Sequence, residues 1–136
     1  LMAIQLSTVV RNARLDAIET AIGTAAVVRI YDLTAGAPAD CSASITATTL
    51  VSYTLASDWA SAASSGSKAF SSTPISGTAS GTGTADFYRV FASDGTTCHM
   101  QGTVATSGAD MTVDNASITS GQTVNITSWS ITDGNA

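Results

Sequence analysis

The chain has 136 residues, 44% of them hydrophobic and only 11% charged, a length that argues for one domain able to build its own core. Five Lys and Arg against ten Asp and Glu leave a net charge of -5, the wrong sign for counterion release on nucleic acid or for docking on an anionic membrane, so neither is expected as a partner. One His and two Cys are too few for a nitrogen- or sulfur-ligated metal centre, and no metal or other cofactor is expected.

The 19 Ser, 21 Thr and 23 Ala set a small-residue background in which Thr stands where a helical protein would carry Leu, Glu and Lys, a balance that favours strands. Residues 1–25 do not read as a secretory leader, because Arg11, Arg14 and Asp16 interrupt the apolar run. No stretch approaches the roughly 18 apolar residues that a bilayer span needs.

One helix is expected, over Thr8–Ile22. Ser7 or Thr8 can cap its free amides, and Gly23 can take the left-handed terminating position. Leu15, Ile18 and Ile22, with Val10, Ala17 and Ala21 beside them, form an apolar stripe, and Arg11, Arg14, Asp16 and Glu19 occupy the other side. About four turns of helix are marginal alone in water, so the stripe must lie on the domain's own sheet or on a neighbouring subunit.

After Gly23 the period changes to two. Strands are expected at Ala26–Asp32, Ile45–Leu55, Lys68–Ile75, Ala85–Ala92, Thr97–Val104, Asp110–Ile118 and Thr123–Thr132, separated by Gly, Ser and Asp clusters. The expected fold is all-β: an antiparallel β-sandwich or jelly roll of about seven to eight strands, preceded by one N-terminal amphipathic helix. Residues 1–24 are then an arm and helix, and residues 25–136 the β-domain, in one compact unit.

Asp94-Gly95 predicts a hairpin with a two-residue turn, which places Phe91 opposite Cys98 and Val90 opposite His99. Phe87, Phe91, Cys98 and Met100 then share one face with Arg89, which needs either a partner or a bulge in the ladder. Ser57–Ser67 lacks a strand period and reads as a short helical turn carrying Trp59 inward, and Ser76–Thr84, with three Gly, reads as a mobile loop.

Cys41 and Cys98 allow an internal disulfide, two buried thiols or a bond between subunits, and spacing alone leaves all three open. His99 follows Cys98 directly, but consecutive strand residues point to opposite faces, which disfavours a Cys–His nucleophile pair. Asp86, Asp94, Asp110, Asp114 and Asp133 lack the spacing of a calcium loop and read as turn caps. Asn115-Ala116-Ser117 and Asn125-Ile126-Thr127 match the glycan-acceptor pattern by chance. The eight aromatic residues read as core, with an exposed sugar-stacking Trp or Tyr as the alternative. No nucleophile elbow, phosphate-cradling loop or spaced carboxylate pair is present, so no catalytic residue is assigned and the chain is expected not to be an enzyme.

Met2-Ala3-Ile4-Gln5-Leu6-Ser7 and Arg11-Asn12-Ala13-Arg14-Leu15-Asp16-Ala17-Ile18-Glu19, with Thr97-Cys98-His99-Met100-Gln101-Gly102 and Met111-Thr112-Val113-Asp114-Asn115, resemble small proteins encoded among the virion structural genes of tailed bacteriophages. The resemblance implies a structural protein made in the host cytoplasm and carried on the virion. Its simplest form there is a capsid decoration or cement protein on the capsid surface, which bridges and stabilises major capsid protein subunits. The implied partners are the major capsid protein and copies of the chain itself, as a dimer or trimer. The candidate contact elements are the Leu1–Ser7 arm and the helix, through Val10, Arg11, Arg14, Leu15, Ile18 and Ile22. The alternative is a tail or tail-fibre component that attaches or binds a glycan receptor through Ser57–Ser67 or Ser76–Thr84.

Overall fold

A computed structural model describes residues 3–135, so Leu1 and Met2 of the expected arm and the final Ala136 lie outside the described residues. The helix α1 spans Thr8–Ile22, as its caps dictate: the Ser7 side chain accepts from the Val10 N–H, and the Gly23 N–H donates to the Glu19 carbonyl. Nine strands follow among the described residues: β1 Val27–Asp32, β2 Thr49–Thr54, β3 Ser67–Ala69, β4 Ile75–Thr78, β5 Gly83–Phe91, β6 Cys98–Ala105, β7 Met111–Val113, β8 Ser117–Ile118 and β9 Thr123–Thr132.

The strands form one curled, mixed sheet in the order β2-β1-β5-β6-β7-β9-β3, with β4 also on β9 and β8 on β5. The protein is therefore all-β with one N-terminal helix. Antiparallel pairing holds at every strand pair except β6–β7, which is parallel over two residue pairs, Val104 with Met111 and Ala105 with Thr112. There the Asp110 carboxylate accepts from the N–H and hydroxyl of Thr103 and so fixes the short excursion that returns the chain alongside itself. The curl brings the far side of β4 back to β2: Val51 bridges Ala79, and the N–H groups of Ser80 and Gly81 both donate to the Leu50 carbonyl.

Three expected strands and one expected loop differ. The expected Ile45–Leu55 strand contracts to β2, because residues 33–48 cross the outside of the sheet instead. The expected Lys68–Ile75 strand splits into β3 and β4, which lie end to end along β9. The expected Asp110–Ile118 strand splits into β7 and β8, which pair with different partners. The expected mobile loop at residues 76–84 is instead ordered by pairing and close packing. A Cβ on Gly77 would lie 2.6 Å from the Tyr53 ring, and one on Gly81 would lie 2.4 Å from the Thr49 carbonyl oxygen. These glycines admit neighbours rather than supply freedom.

The main core fills the inside of the curl, around Val28, Ile30, Leu50, Val90, Met111 and Ile126. Each such side chain contributes about 2 kcal/mol of burial. A second cluster, Val27, Tyr31, Phe87 and Phe91, lies on the opposite face, covered by Ile45, Ala47 and Cys98. Alternation along β5 makes this division: Tyr88 and Val90 face the main core, and Phe87, Arg89 and Phe91 face outward.

The Asp94-Gly95 hairpin forms, but its turn is wider than two residues. The Ala92 N–H donates to the Thr97 carbonyl and the Gly95 N–H to the Ala92 carbonyl, with Gly95 in the left-handed region at φ 69°. Phe91 stays opposite Cys98, and the register then slips so that Val90 faces Met100 rather than His99. This bulge takes Met100 off the outer face and packs it against the main core.

Candidate functional site

Helix α1 docks through more than its apolar stripe. Leu15 and Ile22 are buried and Ile18 is half-buried, but Val10, Ala17 and Ala21 face solvent, so the stripe is narrower than the sequence implies. Asn12, Asp16 and Glu19 also turn inward. Their side-chain oxygens accept the backbone N–H groups of Gly66, Ala63 and Ala60 at 2.9, 2.8 and 3.4 Å. Residues 60–66 form the hairpin arm beside β3, linked through the bridges Ala60–Phe70 and Ser64–Ser67. The helix therefore caps a strand edge with side-chain acceptors, which leaves that edge closed to another chain. This segment is extended rather than helical, although Trp59 points inward as expected and its indole N–H donates to the Gly23 carbonyl.

Lys68 anchors the same junction. Its side chain is 1% exposed, and Nζ reaches Asp16, Glu19 and the Ser61 carbonyl at 2.8, 2.8 and 2.9 Å. Burial pushes its pKa down, but hydrogen bonds to Asp16 and Glu19 outweigh that and hold it above the ordinary lysine value. The Lys68 hydrogen bond, and then the Ala63 N–H, hold the Asp16 carboxyl below its usual range. A cleft of about 750 Å³ opens over this group, lined also by Ser57, Asp58 and Ser71. With three acceptors on one ammonium, the group is a closed strut rather than a free acid or base.

The six residues assigned to partner contact separate into three kinds. Leu15, Ile18 and Ile22 face inward. Arg11 and Arg14 are taken up by the C-terminal segment: Arg11 donates to the Asp133 carbonyl at 3.1 Å, and Arg14 pairs with the Asp133 carboxylate at 3.2 Å. Only Val10 is an exposed apolar side chain, at 43%, and it joins two others from the same end of the molecule, Val9 at 78% and Ile4 at 80%. The Leu6 N–H donates to the Asn135 carbonyl and pins this arm beside the C-terminus. Ile4 lies in the expected contact arm and Val9 in the first turn of the expected contact helix, although neither is among the six residues assigned to partner contact.

The remaining candidates are placed as follows. Cys41 and Cys98 are joined in a disulfide with Cα atoms 5.4 Å apart, so the Cys98 sulfur is not a free thiolate, and His99 is exposed on the bulge. All eight aromatic residues are buried, and the polar atoms of four of them are used internally: the Trp59 indole N–H donates to the Gly23 carbonyl, the Trp129 indole N–H to the Tyr88 hydroxyl, and the Tyr53 hydroxyl to the Val124 carbonyl. An exposed aromatic platform for sugar is thus absent among the described residues. Asp94 accepts from the N–H groups of Thr96 and Thr97, and Asp114 accepts from Asn125, which are turn and strand-end roles. Among the described residues no group of three His, Cys, Asp or Glu is placed to hold a metal ion, and no helix is long and apolar enough to cross a membrane. No protein-family model matches the chain, and no curated protein or solved structure matches it significantly.

Proposed function

We propose that the chain is a structural protein of a tailed-phage virion, acting as a capsid decoration subunit that bridges major capsid protein subunits and stabilises the shell. The observation that carries this reading is the group of exposed apolar side chains formed by Ile4 of the arm and Val9 and Val10 of the first turn of α1, on a body braced by a disulfide and a capped strand edge. Such side chains gain about 25 cal/mol for each Å² of apolar surface removed from water, so one arm supplies a modest contact. A decoration subunit binds the assembled lattice and not its free components, so many such contacts stabilise the shell by mass action and avidity. The arm leaves at the helix N-terminus, tied to the C-terminal segment through the Leu6 N–H and the Asn135 carbonyl.

The test is copy number in purified virions of the encoding phage, by quantitative mass spectrometry referenced to the major capsid protein. The expected result is a near-stoichiometric ratio. A few to a few tens of copies would assign the chain to the tail, and absence from virions would discard a virion role. Ile4→Ser with Val9→Ser is expected to leave the fold intact and to weaken rebinding to stripped capsids about tenfold or more, which is about 1.4 kcal/mol.

A further inference from the structure

The connection between β1 and β2 is a cover fastened from one side. Residues 33–48 lie over the outer cluster, where Ile45 and Ala47 pack against Val27, Tyr31, Phe87 and Phe91. No residue of this segment belongs to the main core. At its ends it is tied by backbone: the Leu33 N–H donates to the Thr84 carbonyl, and the Asp32 N–H donates to the Thr48 carbonyl. Between them, residues 37–47 make no backbone hydrogen bond to the sheet. What reaches them is the Cys41–Cys98 bond, the Gln101 amide donating to the Pro38 carbonyl, and the Arg89 guanidinium donating to the carbonyls of Asp40 and Ala43 at 2.8 and 2.9 Å.

Arg89 makes the closed cover costly. It is 3% exposed, and no carboxylate among the described residues lies within ion-pair distance of it. Its remaining partner is the Gln101 side-chain oxygen, at 3.2 Å from Nε. Neutral carbonyls return only part of the hydration that a buried guanidinium gives up, so lifting the cover rehydrates the cation. Ile45 and Ala47 are themselves only half-buried, so the apolar return of closing comes from Val27, Tyr31, Phe87 and Phe91 beneath them. Water can replace the hydrogen bonds from Arg89 and Gln101, and it cannot replace the Cys41–Cys98 bond, which is the covalent fastening of residues 37–47.

We propose that residues 33–48 form a redox-latched flap, held shut by the Cys41–Cys98 disulfide and released from an otherwise intact β-body when that bond is reduced. A dithiol supplies the two electrons and two protons: its own sulfurs join in a disulfide, the Cys41–Cys98 bond breaks, and each cysteine sulfur takes a proton. In a reducing cell the flap is open and the strip of Val27, Tyr31, Phe87 and Phe91 is uncovered around the Arg89 cation. In an oxidising medium it is closed. The inference stands whether or not the chain belongs to a virion.

Hydrogen exchange read by mass spectrometry tests it on the whole chain, comparing the oxidised protein, the protein reduced with dithiothreitol, and Cys41→Ser. Amides of residues 37–47 are expected to exchange about tenfold faster or more in both reduced forms, while the centres of β1, β5 and β9 remain protected. Unchanged rates over residues 37–47 would overturn the proposal by showing a cover held without the bond. Loss of protection across β1, β5 and β9 would overturn it equally, by showing that the bond holds the whole fold. If Cys41→Ser does not fold, the reduced wild-type chain, which begins folded, decides between these outcomes.

Discussion

Lys68 and Arg14 each bind carboxylates within 3.2 Å, yet their surroundings give the two interactions different weight. The Arg14 side chain is 54% exposed, so solvent screens its pair with Asp133, and Arg14→Ala should cost less than about 1 kcal/mol. The Lys68 side chain is buried beneath its two carboxylates. Lys68→Met leaves Asp16 and Glu19 facing each other without their cation and the Ser61 carbonyl without its donor, and should cost about 2 kcal/mol or more. Urea unfolding of the two variants checks the contrast, and equal losses would refute the assignment of Lys68 as a strut. Neither residue announces this in the sequence, where both are lone cations. Arg89 is more legible: alternation along β5 puts it beside Phe87 and Phe91 and demands a partner. The carbonyls of Asp40 and Ala43 that answer the demand come from a segment with no period of its own. Periodicity assigns a side, and it does not assign what lies across from it.

At the scale of elements, local chemistry is the most readable part of the chain. The caps of α1 place both its ends, and β9 runs over the expected residues, because each is decided by neighbours within a few positions. The docking face of α1 is less readable, since Asn12, Asp16 and Glu19 serve amides of a hairpin some fifty residues away. Glycines mislead in a definite way. Gly77, Gly81 and Gly83 suggest a mobile loop over residues 76–84, whereas the backbone of β2 passes so close to Gly81 that only a hydrogen fits. Gly81→Ala should therefore destabilise by about 2 kcal/mol or more, because the clash is with backbone and no side chain can swing away. Gly134→Ala, in open space, should change stability by less than about 0.5 kcal/mol. Thermal unfolding of the pair separates close approach from flexibility: a neutral Gly81→Ala would return this segment to a loop.

For the whole molecule, the net charge of -5 conceals how the five cations are spent. Arg11 and Arg14 hold the C-terminal segment, Lys68 the helix, Arg89 the flap, and Arg29 donates to the Gly95 carbonyl while stacking 5.0 Å over Phe91. Stability should accordingly depend on pH at both extremes and little between. On the acid side, hydrogen bonds hold several carboxyls below the usual aspartate range. Asp16 receives them from Lys68 and the Ala63 N–H, Asp40 from the Ser42 hydroxyl and N–H, and Asp94 from the Thr97 hydroxyl and the N–H groups of Thr97 and Thr96. For Asp114, burial works in the opposite direction and is outweighed by the Asn125 donors. The unfolded chain takes up protons first as pH falls, so stability is complete above about pH 5 and declines as pH drops through about 4 and below. On the alkaline side, burial pushes Tyr88 up to about 12 and raises Tyr53 also, while Lys68 is raised by its carboxylate partners against the effect of burial. Here the unfolded chain loses protons first, and stability declines as pH rises past about 10. Melting temperature followed by circular dichroism between pH 2 and 12 should thus show a plateau with a fall at each end. Lys68→Met should retain the acid fall that Asp40, Asp94 and Asp114 still produce, reduced by the share of Asp16, whose lowered pKa has Lys68 as its first cause. An acid limb unchanged by Lys68→Met would mean that the Asp16 shift does not depend on the buried lysine.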